Sequence, residues 1–297
     1  MLNPFRAVGK HSDKASSAAT PGSLPNTADS LYDLANSCRE RYQQTGDLTP
    51  LNEAITHYQA ALKQTPAPSA DRAGTLNQEL AIVLYMRYRE MHQLHDLEAS
   101  IACDQEAVKL FPPSHPERSI SFYDLGVALS TRFEETGRLQ YLEESITYHR
   151  DALELRPASH PDRYVSLNNL ANALFTRFQR TRLLRDLDGC IAYAREALEL
   201  TPADHHDRSV SLNNLAQQLK TRFSISGQLQ DIDESISYHR EAVTLRPVGH
   251  RGRPNSLKNL SDALLARFGR TANPSDSEDA DVCRREIVQL MPGMHFF

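Results

Sequence analysis

Apolar residues recur at helical spacing along most of the chain, in runs broken by Gly, Pro or short polar stretches. Leu125, Leu129 and Phe133 stand four apart, which places them on one face of a helix. Gly137 interrupts that pattern. Leu142, Ile146, His149 and Leu153 then mark the stripe of a second helix, broadened by Tyr148, Ala152 and Leu155. Pro157 stops it, residues 158–161 read as a loop, and Asp162 stands where the next helix needs a cap. The alternation of a half-buried strand is found nowhere in the sequence. The predicted building block is a helical hairpin.

That block repeats. Thr131-Arg132-Phe133 returns as Thr176-Arg177-Phe178, Thr221-Arg222-Phe223 and Ala266-Arg267-Phe268, at a spacing of 45. Met86-Arg87-Tyr88 and Glu40-Arg41-Tyr42 continue the series backwards at 45 and 46. A second marker, Asp162-Arg163, returns at Asp71-Arg72, Glu117-Arg118 and Asp207-Arg208, with Gly252-Arg253 as a degraded copy. Six units follow, over 29–72, 73–118, 119–163, 164–208, 209–253 and 254–292, so the repeat domain spans 29–292. Residues 1–28, rich in Ser, Ala, Thr and Pro, are expected to be a disordered arm, and 293–297 a short C-terminal tail. A hairpin has two faces and covers only one of them with its own helices. Stacking on neighbours must cover the other, so the expected fold is all-α, an α-solenoid of six hairpins. The last unit reads Ser275-Asp276-Ser277-Glu278-Asp279-Ala280-Asp281 where others are apolar, as a terminal cap would.

These units resemble the tetratricopeptide repeat. Leu125-Gly126, Ser145 and Ala152-Leu153-Glu154-Leu155-Arg156-Pro157 fill that motif's places, as do Ala171, Ala216, Ala197-Leu198 with Pro202, and Ala242-Val243 with Pro247. The usual repeat has about 34 residues, so this is a long form. It is similar to fungal arrays found with caspase-like CHAT peptidase domains, and more distantly to kinesin-light-chain repeats. The resemblance implies a right-handed superhelix that serves as a protein-interaction scaffold for a protein or peptide partner, with no enzymatic activity. It also admits a regulatory repeat fragment of a CHAT protein whose catalytic domain is absent here, and a kinesin-light-chain-like cargo adaptor. By the family register the concave face would carry exposed residues of each first helix: Gln78, Ile82 and Tyr85; Tyr123, Val127 and Ser130; Asn168, Asn172 and Phe175; Asn213, Gln217 and Lys220. That set is rich in amides, which can hydrogen-bond a peptide backbone whatever its sequence. The lysine–asparagine carboxylate clamp of chaperone-binding members is missing from the middle units, where Tyr, Val, Asn and Gln stand.

Charge narrows the partners further. The net charge of −5 and pI near 6.2 give no basic field for nucleic acid or an anionic membrane. Two arginine ladders are distributed one per unit: Arg41, Arg87, Arg132, Arg177, Arg222 and Arg267 near the ends of first helices, and Arg72, Arg118, Arg163, Arg208 and Arg253 near their starts. Both are expected to be structural. The first would pair with Glu144, Asp188 and Glu234 early in the second helices, and the second would clasp Glu154 or Glu199 of the preceding unit. His115, His160, His205 and His250 recur in the loops between units. Equivalent residues of stacked units stand roughly 10 Å apart, too far to share one metal, so neither metal nor cofactor is expected. Four dispersed cysteines point to free thiols and a reducing, cytoplasmic setting. Nucleophile elbow, phosphate-cradling loop and paired metal-ligand motif are all missing from the sequence.

Overall fold

The computed structural model describes residues 27–66 and 69–291, so the expected N-terminal arm (apart from residues 27 and 28) and the C-terminal tail lie outside the described residues. The described residues form α-helices and no strands. They fall into two compact bodies, one running to Pro157 and the other beginning at Ala158. The first holds α1 (Ala28–Thr45), α2 (Leu48–Gln64), α3 (Ala70–Met91), α4 (Leu94–Leu110), α5 (Arg118–Thr136) and α6 (Leu139–Glu154). The second holds α7 (Arg163–Thr181), α8 (Leu184–Leu200), α9 (Arg208–Ser226), α10 (Leu229–Thr244), α11 (Arg253–Thr271) and α12 (Pro274–Leu290). Each odd helix packs against the even helix after it, and within each body α2 on α3, α4 on α5, α8 on α9 and α10 on α11 join successive hairpins. One continuous apolar cluster runs from Leu31 on α1 to Leu84 on α3. Another runs from Phe223 on α9 to Ile287 on α12.

A small residue in the second helix lets the pair approach closely. Ser100, Ser145 and Ser235 are buried there, and each hydroxyl donates to a carbonyl of its partner helix, at Ala81, Gly126 and Ala216, over 2.7 to 2.9 Å. The turn between the helices needs one residue in the left-handed region. Gly46, Gly137 and Gly227 supply it in three hairpins, and His92, Arg182 and Ala272 adopt φ of 53° to 59° in the others. The non-glycine residues cost about 1 kcal/mol each there.

The first arginine ladder ties the two ends of this turn together. Arg87, Arg177, Arg222 and Arg267 each reach the carboxylate nine residues on, Asp96, Asp186, Asp231 and Asp276, through Nε and Nη2 over 2.5 to 2.9 Å. All four aspartates are buried in the first turn of their helices. The expected partners therefore need correcting. Asp188 reaches Arg222 of the following hairpin, Glu234 pairs with Arg195, and Glu144 accepts from Gln140. The bidentate geometry favours the nearer, buried carboxylate over a longer, solvated one. Where Tyr141 takes the aspartate's place, Arg132 lies 5.7 Å from its ring and pairs with Glu98. Where Pro50 does, Arg41 pairs with Glu53.

Size is exchanged between the two ends of a hairpin. A Cβ on Gly74, early in α3, would lie 2.7 Å from the ring of Phe111, which is buried at the end of α4. At the same places the fourth hairpin has Tyr164 and Thr201, both buried, and the fifth has Ser209 accepting from Arg246 Nε at 3.0 Å. The terminal helix α12 shows the polar face foreseen for it. Asp281 and Arg284 pair on its surface where α10 has the buried Ile236 and His239.

Two outcomes follow for stability. Gly74→Ala should lose about 1–3 kcal/mol by overpacking, and adding Phe111→Leu should recover part of it. A melt unchanged by Gly74→Ala would refute the contact. Arg177→Leu should lose about 3–5 kcal/mol in urea denaturation, because it strands the Asp186 carboxylate, whereas Arg177→Leu with Asp186→Leu should lose much less.

Candidate interaction surface

The second arginine ladder resolves an apparent conflict of charge. An arginine at a helix start opposes that helix's own dipole. Here it serves the end of the preceding helix instead. Arg208 Nη1 donates to Leu198 O at 3.3 Å and Thr201 O at 2.8 Å, closing α8. Arg253 does the same for α10 at Val243 O and Arg246 O, and Arg118 for α4 at Val108 O and Phe111 O. The guanidinium thus sits on unsatisfied carbonyls at a negative helix end. Its Nε then holds an acid of its own hairpin: Glu196 for Arg163, Glu241 for Arg208 and Glu286 for Arg253. The clasp onto Glu154 or Glu199 is corrected accordingly. Arg72 differs, pairing with Asp29 at 2.6 Å over the ring of Tyr32.

The loop histidines are part of the same joint. Nδ1 of His115, His160, His205 and His250 accepts the backbone N–H two residues on, at 3.0 to 3.2 Å. At Asp162 this replaces the side-chain cap anticipated for α7, which Asp162 does not make. His205, His206 and Asp207 bring three potential ligand atoms within 4.8 Å of one another. Both ring nitrogens of His205 are already engaged, Nδ1 by Asp207 N and Nε2 by the Tyr164 hydroxyl at 3.2 Å.

The face of the first helices differs most from expectation. Asn168 is 2% exposed and Asn213 is 8% exposed. Each turns its amide into the contact with the next first helix, where Asn168 Nδ2 donates to Ser211 Oγ and Asn213 Nδ2 to Ser256 Oγ, both at 3.0 Å. Asn213 Oδ1 also meets His239 Nδ1 at 3.0 Å. Gln78, Ile82, Tyr85, Tyr123 and Val127 are buried as well. Gln78 donates to Glu117 O, the Tyr85 hydroxyl bonds Thr131 Oγ1 at 2.8 Å, and Tyr123 lies under the Arg156 guanidinium. Ser130, half-buried, bonds Ser145 at 2.6 Å.

What remains accessible in the second body is Asn172 and Phe175 on α7 with Gln217 and Lys220 on the neighbouring α9, all half-buried. Burial lowers the Lys220 pKa, Asp262 on α11 raises it, and Lys258 lowers it. His239 behind it is pushed down to about 3, first by burial and then by Lys220. The surface therefore combines two amides, an aromatic ring and a partly desolvated ammonium. The thiols of Cys38, Cys103, Cys190 and Cys283 are free and none is exposed. No helix among the described residues is long and apolar enough to cross a membrane.

Comparison with known proteins agrees with this architecture. The tetratricopeptide-repeat family matches residues 165–207, the fourth unit. Among solved structures, the nearly identical TPR-like repeats of a Podosopora anserina protein described as a kinesin light chain align with a TM-score of 0.54. Identity there is 16%, over 74% of this chain and 98% of that one. BtubC (BKLC) from P. vanneervenii aligns with a TM-score of 0.51 at 16% identity, over 91% of this chain and 93% of that one. No curated protein matches. The family model thus matches one unit, whose markers return in the others, and the helix pairing is that of the solved repeat arrays.

Proposed function

We propose that this chain is a protein-interaction scaffold that holds an extended peptide along the first helices of the second body. The observation that supports it is the state of Asn172 and Gln217. Both are half-buried on adjacent helices, and neither side-chain amide has a hydrogen-bond partner among the described residues. A peptide backbone would give each amide a donor and an acceptor at once. Phe175 adds apolar area beside them, and Lys220 adds a cation that burial has already stripped of part of its water. Asn168 and Asn213, first expected to share this task, instead fix the helices that present it.

Peptides selected from a random displayed library on the whole chain provide the probe. Asn172→Ala with Gln217→Ala should weaken the selected peptides by about 1–3 kcal/mol, read as Kd, without lowering the melting temperature. Contacts from amides to backbone depend little on charge, so Kd should rise only modestly between low and physiological salt. Unchanged binding by that double variant, together with loss of binding in Tyr193→Ala on α8, would move the site to the second helices and refute the reading.

A further inference from the structure

Two carboxyl groups in the first body have no place in the ion-pair pattern. Asp104 on α4 is 1% exposed and Asp124 on α5 is 3% exposed. Among the described residues neither makes an ion pair or a hydrogen bond, and three of their four oxygens, Asp104 Oδ1 and Oδ2 and Asp124 Oδ2, are buried there without a partner. Elsewhere this protein neutralises a buried aspartate with an arginine fork, as at Asp96 in the same helix as Asp104. The repeat shows that a carboxyl is not required at this place. The positions equivalent to Asp104 hold Tyr58, His149, Ala194, His239 and Arg284, and those equivalent to Asp124 hold Asn169, Asn214 and Asn259 in later units, with an exposed Asp33 and an arginine-paired Glu79 in the earlier ones. Two acids therefore face one interface only where α4 meets α5.

Two ionised carboxylates cannot be kept in such a place without cations, because burial and mutual repulsion both oppose the charge. A proton held between them removes the difficulty, since a protonated carboxyl donates to its ionised neighbour. We propose that Asp104 and Asp124 share a proton across the α4–α5 interface, and that this joint between hairpins loosens when the proton leaves.

The surroundings support retention of that proton. Burial raises the Asp104 pKa well above the ordinary carboxyl value, and Asp124 raises it further. Burial likewise raises Asp124; Arg156 after α6 opposes this, while Glu79 on α3 and Glu117 before α5 add to it. Glu79 is itself engaged by Arg39. Arg156 donates to Ser119 O and lies over Tyr123. Cys103 beside Asp104 stays a thiol, pushed up to about 12 by burial and then by Asp104. His149 on α6 stays neutral, pushed down to about 3 by burial and then by Arg156.

The direction of the pH effect follows. Carboxyls with raised folded values favour the folded state fully below the ordinary Asp value, and that advantage is lost as pH rises towards the folded value. The buried histidines act in the opposite sense, since their penalty vanishes above their ordinary value, grows as pH falls below it and is complete only below about 3. Above about pH 6.5, the ordinary histidine value, the carboxyl pair therefore dominates. Thiols begin to contribute only near their ordinary value of about 8.5.

Hydrogen exchange of the α4 and α5 amides in the whole chain tests this between pH 6.5 and 8. Beyond the intrinsic rise in exchange rate, protection should fall by up to about tenfold per pH unit, the slope of one proton. Asp104→Ala with Asp124→Asn, the residues that α8 and α9 already carry at these places, should abolish that slope and be better protected at pH 8. Infrared spectra of the unaltered protein should show a protonated carboxyl band at pH 6.5 that the double variant lacks, a readout independent of whether the variant gains stability. An unchanged slope in the double variant, or the lack of that band in the unaltered protein, would overturn the proposal. So would restoration of protection at pH 8 by added calcium or magnesium, which would make the pair a cation site.

Discussion

Four of the hairpins depend on a small piece of electrostatics at the turn. The last turn of the first helix presents carbonyls and a negative end, and the first turn of the second presents N–H groups and a positive end. An arginine on the former and an aspartate on the latter therefore each suit their own helix before they meet. Their bidentate contact then fixes the two helix ends relative to each other with two parallel hydrogen bonds, as at Arg177 and Asp186 over 2.7 Å. Burial makes the arrangement one-sided. The pair adds little net stability over an apolar substitute, but either partner alone is a buried, uncompensated charge. Once the fork sets the hairpin, the serine hydroxyls at Ser100 and Ser235 find their carbonyls at Ala81 and Ala216.

The joint between hairpins uses the same chemistry with different partners. Arg208 closes the carbonyl end of α8 and holds Glu241 on α10, so one side chain links the hairpin before it to the second helix of its own. The histidine of the loop, His205, accepts the N–H of Asp207 immediately before that arginine and keeps the chain in register there. A cation at a helix start is unfavourable when that helix is considered alone. It becomes favourable once the end of the preceding helix is included, as at Arg118, Arg208 and Arg253.

This shows what the sequence could and could not reveal. The hairpins, their order and both arginine ladders were legible, because markers that return every 45 residues do not depend on knowing any contact. The acid partners of the first ladder were equally periodic at Asp96, Asp186, Asp231 and Asp276, yet Glu144, Asp188 and Glu234 stood close by and looked as suitable. Only burial separates the two sets, and periodicity carries no measure of burial. The asparagines were misjudged for a related reason. Asn168 and Asn213 read as solvent-facing from the family register, but Ser211 and Ser256, 43 residues on, give each a buried partner. A polar residue in one repeat has to be read against the facing position of the next, and that pairing is set by stacking rather than by spacing within a helix.

Polar positions in this chain consequently fall into two kinds. Most are answered by a residue in the adjacent helix, as Asn213 is by His239 and Ser256, and these belong to the architecture. A few are not. Asn172 and Gln217 lack partners and still reach solvent, where a second molecule can supply them. Asp104 and Asp124 lack partners and do not reach solvent, so only something as small as a proton or an ion can. In a repeat, the equivalent positions of neighbouring units show what plain packing requires, here an alanine at 194 and asparagines at 214 and 259. Departure from that requirement, combined with an unanswered polar atom, separates residues that serve the stack from residues that serve something else.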